Sequence, residues 1–254
     1  MTAPYYQDDS VTLYCADWRE AIPADLRADL IVTDPPYGET SLTWDRWPDG
    51  WPTLASRHAN AMWCFGSMRM FLDRRDDFAA WKLSHDVIWE KNVSMFNPGD
   101  RFSRCHEFAL HWYQGEWREI HHDPPRAPAR KRVAGDVITS SAQGGRGEVY
   151  GSRGANRMVS DGLAYRRTVI QADSVRGVGG ITPTQKPVGI LEHLITYGCP
   201  VGGTVLDLFA GSCSTGVAAK RTGRKAVLYE MREEQCERAA RRLAQDVLDF
   251  GEPA

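Results

Sequence analysis

The sequence predicts an α/β fold with a Rossmann-like, doubly wound sheet of mostly parallel strands. Short apolar runs alternate with stretches of helical periodicity through most of the chain. The segment 205–230 has the order strand, glycine turn, helix, strand and terminal acid, which is typical of a βαβ unit. In addition, Asp34 directly follows the apolar run 29–33, and open α/β sheets bind ligands at the carboxyl ends of their strands.

The predicted elements follow from this alternation in chain order. Strands are expected at residues 11–15, 29–33, 61–65, 83–90, 108–113, 203–208 and 225–229. Helices are expected at residues 19–26, 53–60, 68–81, 187–197 and 232–247, and a further helix is expected to end near residue 221. Pro187 suits the start of its helix, because the N–H group that proline lacks would have no intrahelical partner there.

The alternation breaks between residues 115 and 180, where Gly, Pro and Arg are frequent and no periodicity is clear. Residues 115–170 contain ten Lys and Arg against six Asp and Glu, a formal charge of +4, whereas the whole chain carries −2. We therefore predict one domain formed by residues 1–114 and 181–254, with an inserted region at 115–180 that faces phosphates. The alternative is a solvated, disordered insertion with no ligand.

The composition is that of an ordinary globular protein, with 42% hydrophobic and 25% charged residues. No apolar run approaches the length of a membrane span, and the N-terminal residues show no secretion signal. The six cysteines are scattered without a C-x-x-C pair, which argues against a zinc knuckle and favours reduced thiols in a cytoplasm. The histidines His106, His111, His121 and His122 are interpreted as loop or phosphate contacts, and no metal is expected.

The strongest candidate for a catalytic site is the stretch Asp34, Pro35, Pro36 and Tyr37, which we call the acid corner. Its prolines fix φ and remove two backbone donors, so the corner is stiff and rich in acceptors. The Asp34 carboxylate, nearby carbonyls and a flat tyrosine suit a planar ring that carries an exocyclic amine. The alternative is a plain proline turn after a strand. A second Asp-Pro-Pro, at 123–125, lacks a preceding strand and an aromatic and is interpreted as a loop.

The second candidate is the glycine turn, residues 209–216, which can bring backbone close to a ligand at a helix N-terminus. Its candidate binding residues are Asp207, Phe209, Ala210, Gly211 and Ser212, together with Glu230 at the end of the next strand. Glu230 lies about 20 residues beyond the glycines, where such folds bind a ribose diol. The turn has neither the G-x-G-x-x-G spacing of nicotinamide sites nor the G-K-[ST] of a P-loop.

Three tryptophans, Trp44, Trp47 and Trp51, lie in the loop that flanks the acid corner. They are either rim aromatics for a base or a local hydrophobic patch, and the patch is the preferred interpretation.

The ordered combination of these motifs resembles the β class of S-adenosylmethionine-dependent DNA amino-methyltransferases. In that class an Asp-Pro-Pro-Tyr motif precedes a Phe-x-Gly motif, with target recognition in between, and this sequence has the same order. Further matches are the segment at Asp17 and residues 89–91, 104–107 and 184–187. The resemblance covers nearly all of the chain except the insertion.

The resemblance implies a site-specific methyltransferase, with a catalytic and cofactor-binding domain at 1–114 and 181–254 and a target-recognition region at 115–180. It implies S-adenosylmethionine as cofactor and double-stranded DNA as partner, in a bacterial or phage-infected cytoplasm, and homodimers are common among such enzymes. Asp34 and the Pro35 carbonyl would accept the hydrogens of a base amine, and Tyr37 would stack on the flipped base. An Asp at the first motif position favours N6 of adenine over N4 of cytosine.

For the cofactor, the resemblance assigns Phe209, Gly211, Thr184 and Lys186 to the methionine end, Glu230 to the ribose, and Asp17 with Trp18 to the adenine edge. Alternatively, Asp17 is a helix cap and Lys186 a solvated residue at a helix start. The family usually has glycine where Cys213 stands. This cysteine implies either a slightly displaced cofactor or a turn that does not need positive φ at that point.

Two rival functions belong to other classes. One is a cofactor- or DNA-binding module whose catalysis has lapsed; the intact Asp34 and Tyr37 count against it and Cys213 counts for it. The other is methylation of an RNA base or of a protein glutamine amide. The motif order, and Asp rather than Asn at position 34, disfavour this second rival.

Overall fold

The computed structural model describes residues 2–91, 99–100, 102–128, 134–139, 157–172 and 185–245, and of 134–139 and 157–159 only the backbone. The chain forms two compact units. The larger unit contains the residues up to Asp123 and those from Thr168 onward, and the smaller unit is Pro124–Arg167.

The strands account for most of the regular structure. In chain order they are β1 (Tyr6–Gln7), β2 (Val11–Cys15), β3 (Leu30–Thr33), β4 (Ala61–Gly66), β5 (Lys82–Glu90), β6 (His106–Tyr113), β7 (Arg126–Pro128), β8 (Ala134–Thr139), β9 (Arg157–Asp161), β10 (Leu163–Tyr165), β11 (Val169–Gln171), β12 (Thr204–Asp207) and β13 (Lys225–Glu230).

The larger unit is built on one nine-stranded sheet with the order β1-β2-β13-β12-β3-β4-β6-β5-β11. Its centre, from β2 to β4, is parallel throughout, and β11 also pairs parallel with β5. Antiparallel pairs occur at β1–β2 and on both sides of β6. The prediction of a mostly parallel sheet is therefore confirmed.

Six helices are seen in the described residues: α1 (Trp18–Ala21), α2 (Trp51–Ala55), α3 (Met68–Asp73), α4 (Val188–Gly198), α5 (Ser214–Arg221) and α6 (Glu233–Gln245). Short 3₁₀ turns follow at Arg75–Phe78 and Trp117–Glu119. Helix α1 is shorter than predicted because Pro23 forces Ile22 into an extended conformation, which ends the helix. The predicted helix 68–81 divides into α3 and a 3₁₀ turn at Arg74, whose φ of −112° is not helical.

The central strands are buried on both faces, because successive side chains of a strand point to opposite sides of the sheet. On β3, Leu30 and Val32 join one buried cluster and Ile31 joins the other. Helices α4, α5 and α6 contribute apolar side chains to the first cluster, and α2 and α3 to the second. The sheet is therefore doubly wound, with helices on both faces. None of the helices in the described residues is long and apolar enough to cross a bilayer.

The smaller unit contains two antiparallel pairs, β7 with β10 and β8 with β9. This unit spans fewer residues than the predicted insertion at 115–180. Residues 115–123 and 168–172 belong to the larger unit, where β11 adds a strand to the sheet. The role of the insertion in target recognition stays a prediction.

Candidate active site

Acidic side chains from four strands meet at one edge of the sheet. Asp34 follows β3, Asp207 ends β12 and Glu230 ends β13, and β3, β12 and β13 run parallel. Glu107 near the start of β6 reaches the same edge because β6 runs antiparallel to β4. This edge holds a cavity of about 410 Å³, a volume typical of small-molecule sites.

Most of the predicted site residues line this one cavity. They are Trp18, Asp34, Pro35, Pro36, Tyr37, Lys186, Asp207, Phe209, Ala210, Gly211, Ser212 and Glu230. Asp17 is not among the described residues that line it; its carboxylate accepts the Arg19 N–H at 3.0 Å and caps α1, as the alternative interpretation proposed. Thr184 lies outside the described residues. The acid corner and the glycine turn therefore share a pocket.

The Asp34 carboxylate is held from both sides. The Tyr37 hydroxyl donates to Oδ1 at 2.7 Å, and the Lys186 ammonium lies 2.5 Å from Oδ2. Burial and the Asp34 charge raise the pKa of the Tyr37 phenol well above its usual value, so the hydroxyl remains a donor at neutral pH. The protein's own tyrosine thus engages one of the two carboxylate oxygens. Stacking of Tyr37 on a base stays a prediction.

The Lys186 ammonium is shared between two carboxylates, since it also lies 3.3 Å from Glu107 Oε2. The other oxygen of Glu107 contacts the Lys91 ammonium. Burial alone would lower the pKa of Lys186, but Asp34 and Glu107 outweigh it and raise this pKa. Burial would raise the pKa of Glu107, but the two lysines bring it below its usual value. Lys186 is only 8% exposed and is therefore not a solvated residue.

Glu107 had no predicted role, although it lies in the matched stretch 104–107. In a parallel sheet an acid near the start of a strand points away from the ligand edge, and only the reversed direction of β6 brings Glu107 to the cavity. The available signal was that no helix is predicted between the strands 83–90 and 108–113, as expected of an antiparallel pair.

Asp45 organises the loop that follows the acid corner. Its Oδ1 accepts the Gly38 N–H at 2.8 Å, and its Oδ2 accepts the N–H groups of Thr40 at 2.7 Å and Glu39 at 3.1 Å. Burial would raise the pKa of Asp45, but these donors lower it below its usual value. Asp45 is 3% exposed, so its three bonds hold the loop where solvent cannot replace them. No sequence pattern pointed to this role.

The three tryptophans of the same loop have different environments. Trp47 and Trp51 are buried in the second core cluster, as the preferred interpretation expected. Trp44 is instead 41% exposed and lines the cavity, with the Arg232 guanidinium 5.3 Å from its ring centroid. Trp44 is therefore a rim aromatic, and the hydrophobic-patch interpretation is wrong for this residue.

Asp207 ties the glycine turn to β3. Its Oδ1 accepts the Thr33 hydroxyl at 2.9 Å and the Phe209 N–H at 3.1 Å, and its Oδ2 accepts the Thr215 hydroxyl at 2.6 Å. Burial raises the pKa of Asp207 to about 6 in spite of these bonds. Because its oxygens are engaged within the protein, Asp207 shapes the turn, and a direct contact with a cofactor stays a prediction.

The turn itself has two residues with positive φ. Gly211 has a φ of 50°, and nothing lies within 4 Å of the place that a Cβ would occupy. Cys213, with a φ of 56°, is the only non-glycine residue in this conformation among the described residues. The alternative that the turn does not need positive φ at Cys213 is therefore wrong. A side chain in this region costs about 1–2 kcal/mol.

Glu230 joins the turn to the next strand. Its Oε2 accepts the Gly211 N–H at 2.9 Å, and its Oε1 accepts the backbone N–H of Arg232 at 2.9 Å and the side-chain Nε–H at 3.0 Å. Although only 8% of Glu230 is exposed, the residue lines the cavity. The carboxylate thus fixes Gly211 while one edge faces the pocket.

The histidines do not form a metal site in the part of the chain that the structure describes, where no group of three or more His, Cys, Asp or Glu is arranged to hold an ion. His111 is buried within β6 with its ring centroid 4.7 Å from that of Trp63, so the interpretation as a loop or phosphate contact is wrong for this residue. Burial lowers the pKa of His111 to about 3, so the imidazole is neutral at physiological pH.

The doubly wound sheet, with an acid corner and a glycine turn at one cavity, has the architecture expected of a Rossmann-like methyltransferase. A family model described as DNA methylase (N6_N4_Mtase) matches residues 28–241, which include both motifs. The chain belongs to this family.

Two curated type II methyltransferases match a short segment of the chain. A 64-residue segment is 42% identical to the type II methyltransferase M2.DpnII of Streptococcus pneumoniae, and a segment of equal length is 44% identical to M2.LlaDCHI of Lactococcus lactis subsp. cremoris. Each match covers 25% of this chain and 24% of the relative, so the chain matches about a quarter of the length of these curated relatives.

Solved structures are similar over nearly the whole chain. The M1.HpyAVI–SAM complex is 25% identical with a TM-score of 0.64, covering 92% of this chain and 98% of that one. The cytosine-N4-specific PvuII DNA methyltransferase has a TM-score of 0.63 at 15% identity, covering 99% of this chain and 91% of that one. The second likeness is one of fold alone.

Proposed function

We propose that the protein is a site-specific DNA methyltransferase that transfers a methyl group from S-adenosylmethionine to the exocyclic amine of a base, with N6 of adenine as the acceptor. The observation that carries this proposal is that Asp34 and Gly211 line one cavity. A direct transfer requires the acceptor amine and the methyl donor to lie side by side. Membership in the DNA methylase family and the cofactor named for the M1.HpyAVI complex support the same chemistry.

The residues of the glycine turn fit this cofactor. Each carboxylate oxygen can accept two hydrogen bonds, so Glu230 has one acceptor position left, on Oε2, for a ribose hydroxyl. The open side of Gly211 lets a ligand approach the backbone closely. The rings of Trp18 and Phe209 pack edge to face, with their centroids 6.4 Å apart, and supply apolar surface beside the turn. When bound, S-adenosylmethionine supplies a methyl group on a positively charged sulfur, which activates it for transfer.

The acid corner fits the acceptor base. An exocyclic amine is a weak nucleophile because its lone pair is delocalised into the ring. Asp34 and the Pro35 carbonyl accept its two hydrogens, which favours a pyramidal nitrogen and stabilises positive charge as it develops. Pro35 and Pro36 hold these acceptors in a fixed geometry. The ring of Tyr37 stacks on the base after the base has left the duplex.

Contacts with the DNA backbone are assigned to the insertion. In the smaller unit Arg126, Tyr165, Arg166 and Arg167 are exposed, and the Arg126 guanidinium lies 5.6 Å from the centre of the Tyr165 ring. Exposed arginines beside an aromatic are suited to phosphates and unstacked bases. We infer that this unit contributes to target recognition, as the net positive charge of residues 115–170 suggests.

The choice of adenine rests on Asp34 as the first residue of the motif, which in the resembling family favours adenine. Both candidate amines present two N–H donors, so the acceptor corner suits cytosine N4 as well. Adenine and cytosine are therefore distinguished by identifying the methylated base in the product DNA.

The test is to incubate the protein with isotopically labelled S-adenosylmethionine and mixed-sequence duplex DNA, and to identify the labelled nucleoside by mass spectrometry. N6-methyl-2′-deoxyadenosine from the DNA is expected, and Asp34→Ala serves as the control that abolishes it. N4-methylcytosine would correct the base while the enzyme class stands. Tight cofactor binding without any labelled nucleoside would replace the proposal with a lapsed binding module.

A further inference from the structure

A chain of four charged side chains runs from the acid corner into the antiparallel part of the sheet. In order, its members are Asp34, Lys186, Glu107 and Lys91. The side chains of Lys186 and Lys91 are each 9% exposed and that of Glu107 is 19% exposed. The charges alternate in sign and sum to zero when all four groups are ionised. Charges with so little contact with solvent are tolerated only while each keeps its partner.

Lys186 is the branch point of this chain. Its ammonium lies 2.5 Å from Asp34 Oδ2 and 3.3 Å from Glu107 Oε2, and it also lies 5.2 Å from the centre of the Phe65 ring. Among the described residues Glu107 Oε2 has no hydrogen-bond partner, so the ammonium donates a hydrogen bond to Asp34 and attracts Glu107 as an ion pair. A stronger attraction from Glu107 therefore weakens the hold of Lys186 on Asp34.

Resting on the proposed function, we propose that Glu107 is a positioning residue for methyl transfer, which draws the Lys186 ammonium partly away from Asp34. Asp34 is then a stronger acceptor for the base amine than it would be if the Lys186 ammonium interacted with Asp34 alone. Lys91 limits this effect because it engages the other oxygen of Glu107. Glu107 acts on the reaction through Lys186.

The competing explanation is that the four charges only stabilise the fold. A stabilising network would change the free energy of unfolding when a member is removed. It would leave the plateau rate of methyl transfer unchanged in variants that still fold. The positioning role predicts a changed plateau rate, and pH midpoints that move in opposite directions in Glu107→Gln and Lys91→Gln, because these two residues act in opposite senses on the Lys186 ammonium.

The other titratable groups near Asp34 are unchanged in the variants used below to test Glu107 and Lys91. Burial raises the pKa of the Tyr37 phenol and of the Cys64 thiol well above their usual values, so neither ionises near neutral pH. Asp207 has a pKa raised to about 6 by burial and, to a smaller extent, by Asp34. Asp207 therefore titrates in the window of the experiment, and differences between variants, rather than the absolute profile, isolate the effects of Glu107 and Lys91.

The experiment measures single-turnover methyl transfer between pH 5 and 9, at saturating S-adenosylmethionine and duplex DNA. Glu107→Gln is expected to lower the plateau rate about tenfold, equivalent to about 1.4 kcal/mol in the activation free energy, and to move the acid midpoint to lower pH. Lys91→Gln leaves Glu107 free to attract Lys186 and is expected to move the midpoint to higher pH. Glu90→Gln, an exposed neighbour in the sequence, is the matched control with an unchanged profile.

Unshifted midpoints, or shifts of the same sign in Glu107→Gln and Lys91→Gln, would overturn the inference. If Glu107→Gln does not fold, Lys91→Gln decides alone, because Lys91 is not among the described residues that line the cavity.

A second readout needs neither cofactor nor DNA. The rate at which acetic anhydride acetylates Lys186 is followed by peptide mass spectrometry in the wild type and in Glu107→Gln. Losing one carboxylate lowers the pKa of Lys186, so labelling at least about threefold faster is expected. Unchanged labelling would overturn the inference even if methyl transfer is normal. A wild type that transfers no methyl group would instead overturn the proposed function, and the inference with it.

Discussion

The acid corner and the glycine turn line the same cavity but are held by different forces. At the corner, Asp34 is fixed by the Lys186 ammonium and the Tyr37 hydroxyl, and Glu107 is fixed by two lysines. At the turn, the buried Asp207 receives only hydroxyl and backbone N–H donors. The corner is organised by a chain of paired charges, whereas at the turn the pair of Glu230 with Arg232 supplements hydrogen bonds and backbone conformation.

This difference follows from what each region is proposed to do. The corner keeps ionised groups because a developing positive charge on the amine needs a nearby anion. The turn needs a particular backbone shape, which Asp207 and the positive φ angles of Gly211 and Cys213 provide. Changes at the corner should therefore affect the chemical step, and changes at the turn should affect stability and cofactor binding.

The largest effect is expected at Asp34. Replacing it by Asn keeps the shape but removes the charge beside Lys186, and turns one acceptor oxygen into a donor. Single-turnover methyl transfer should fall by about 10³-fold. Asp49→Asn, in the exposed part of the neighbouring loop, is the control and should retain the wild-type rate. A loss of less than about tenfold at Asp34 would remove it from the reaction.

The contributions of the two regions to the free energy of unfolding should change with pH in opposite directions. The pKa of Asp207 is raised to about 6 from its usual value of 3.8. As the pH rises from 4 to above 6, the free energy of unfolding of the wild type should therefore fall by about 3 kcal/mol relative to that of Asp207→Asn. The pKa of Glu107 lies below its usual value of 4.5, so its contribution should be present above that pH and lost as the pH falls below it. Urea unfolding of the wild type, Asp207→Asn and Glu107→Gln at several pH values measures both. If the stability differences between the wild type and each of the two variants changed with pH in the same direction, the distinction between the corner and the turn would be contradicted.

A smaller effect is expected at Asp45, which holds the loop between the corner and the rim residue Trp44. Asp45→Asn keeps the size but replaces one acceptor oxygen by a donor, which leaves a buried backbone N–H without a partner. The free energy of unfolding should fall by about 2 kcal/mol. Asp49→Asn should change it by less than about 0.5 kcal/mol. Equal effects of the two substitutions would show that the loop is not organised by Asp45.

The smallest effect concerns the strained cysteine of the glycine turn. Because Cys213 has positive φ, Cys213→Gly should be more stable than Cys213→Ala by about 1 kcal/mol. At Ala218, in the middle of α5, glycine should instead be less stable than alanine by about 1 kcal/mol. Thermal unfolding of the variants gives both differences, and the same sign at both positions would exclude conformational strain at Cys213.

Local patterns predicted the parts of the site that are contiguous in the chain. The acid corner and the glycine turn are short motifs at strand ends, and the parallel order of β3, β12 and β13 brings them together as expected. The ion partners of the corner come from three distant segments, and Glu107 depends on the reversed direction of β6, which residue types alone do not show. The positive φ of Cys213 could not be predicted from the cysteine itself, whose side chain does not favour that conformation; the only signal was the glycine that the resembling family usually has at this position.

The most direct test of the division between the two regions is equilibrium binding of labelled S-adenosylmethionine to Glu230→Gln and Asp34→Asn, measured side by side with the wild type. Glu230→Gln weakens both the hold on Gly211 and the proposed ribose contact, so its Kd should rise about 10- to 100-fold, whereas Asp34→Asn should stay within about twofold. A Kd that rises equally in both variants, or only in Asp34→Asn, would contradict the assignment of the turn to the cofactor and the corner to the base.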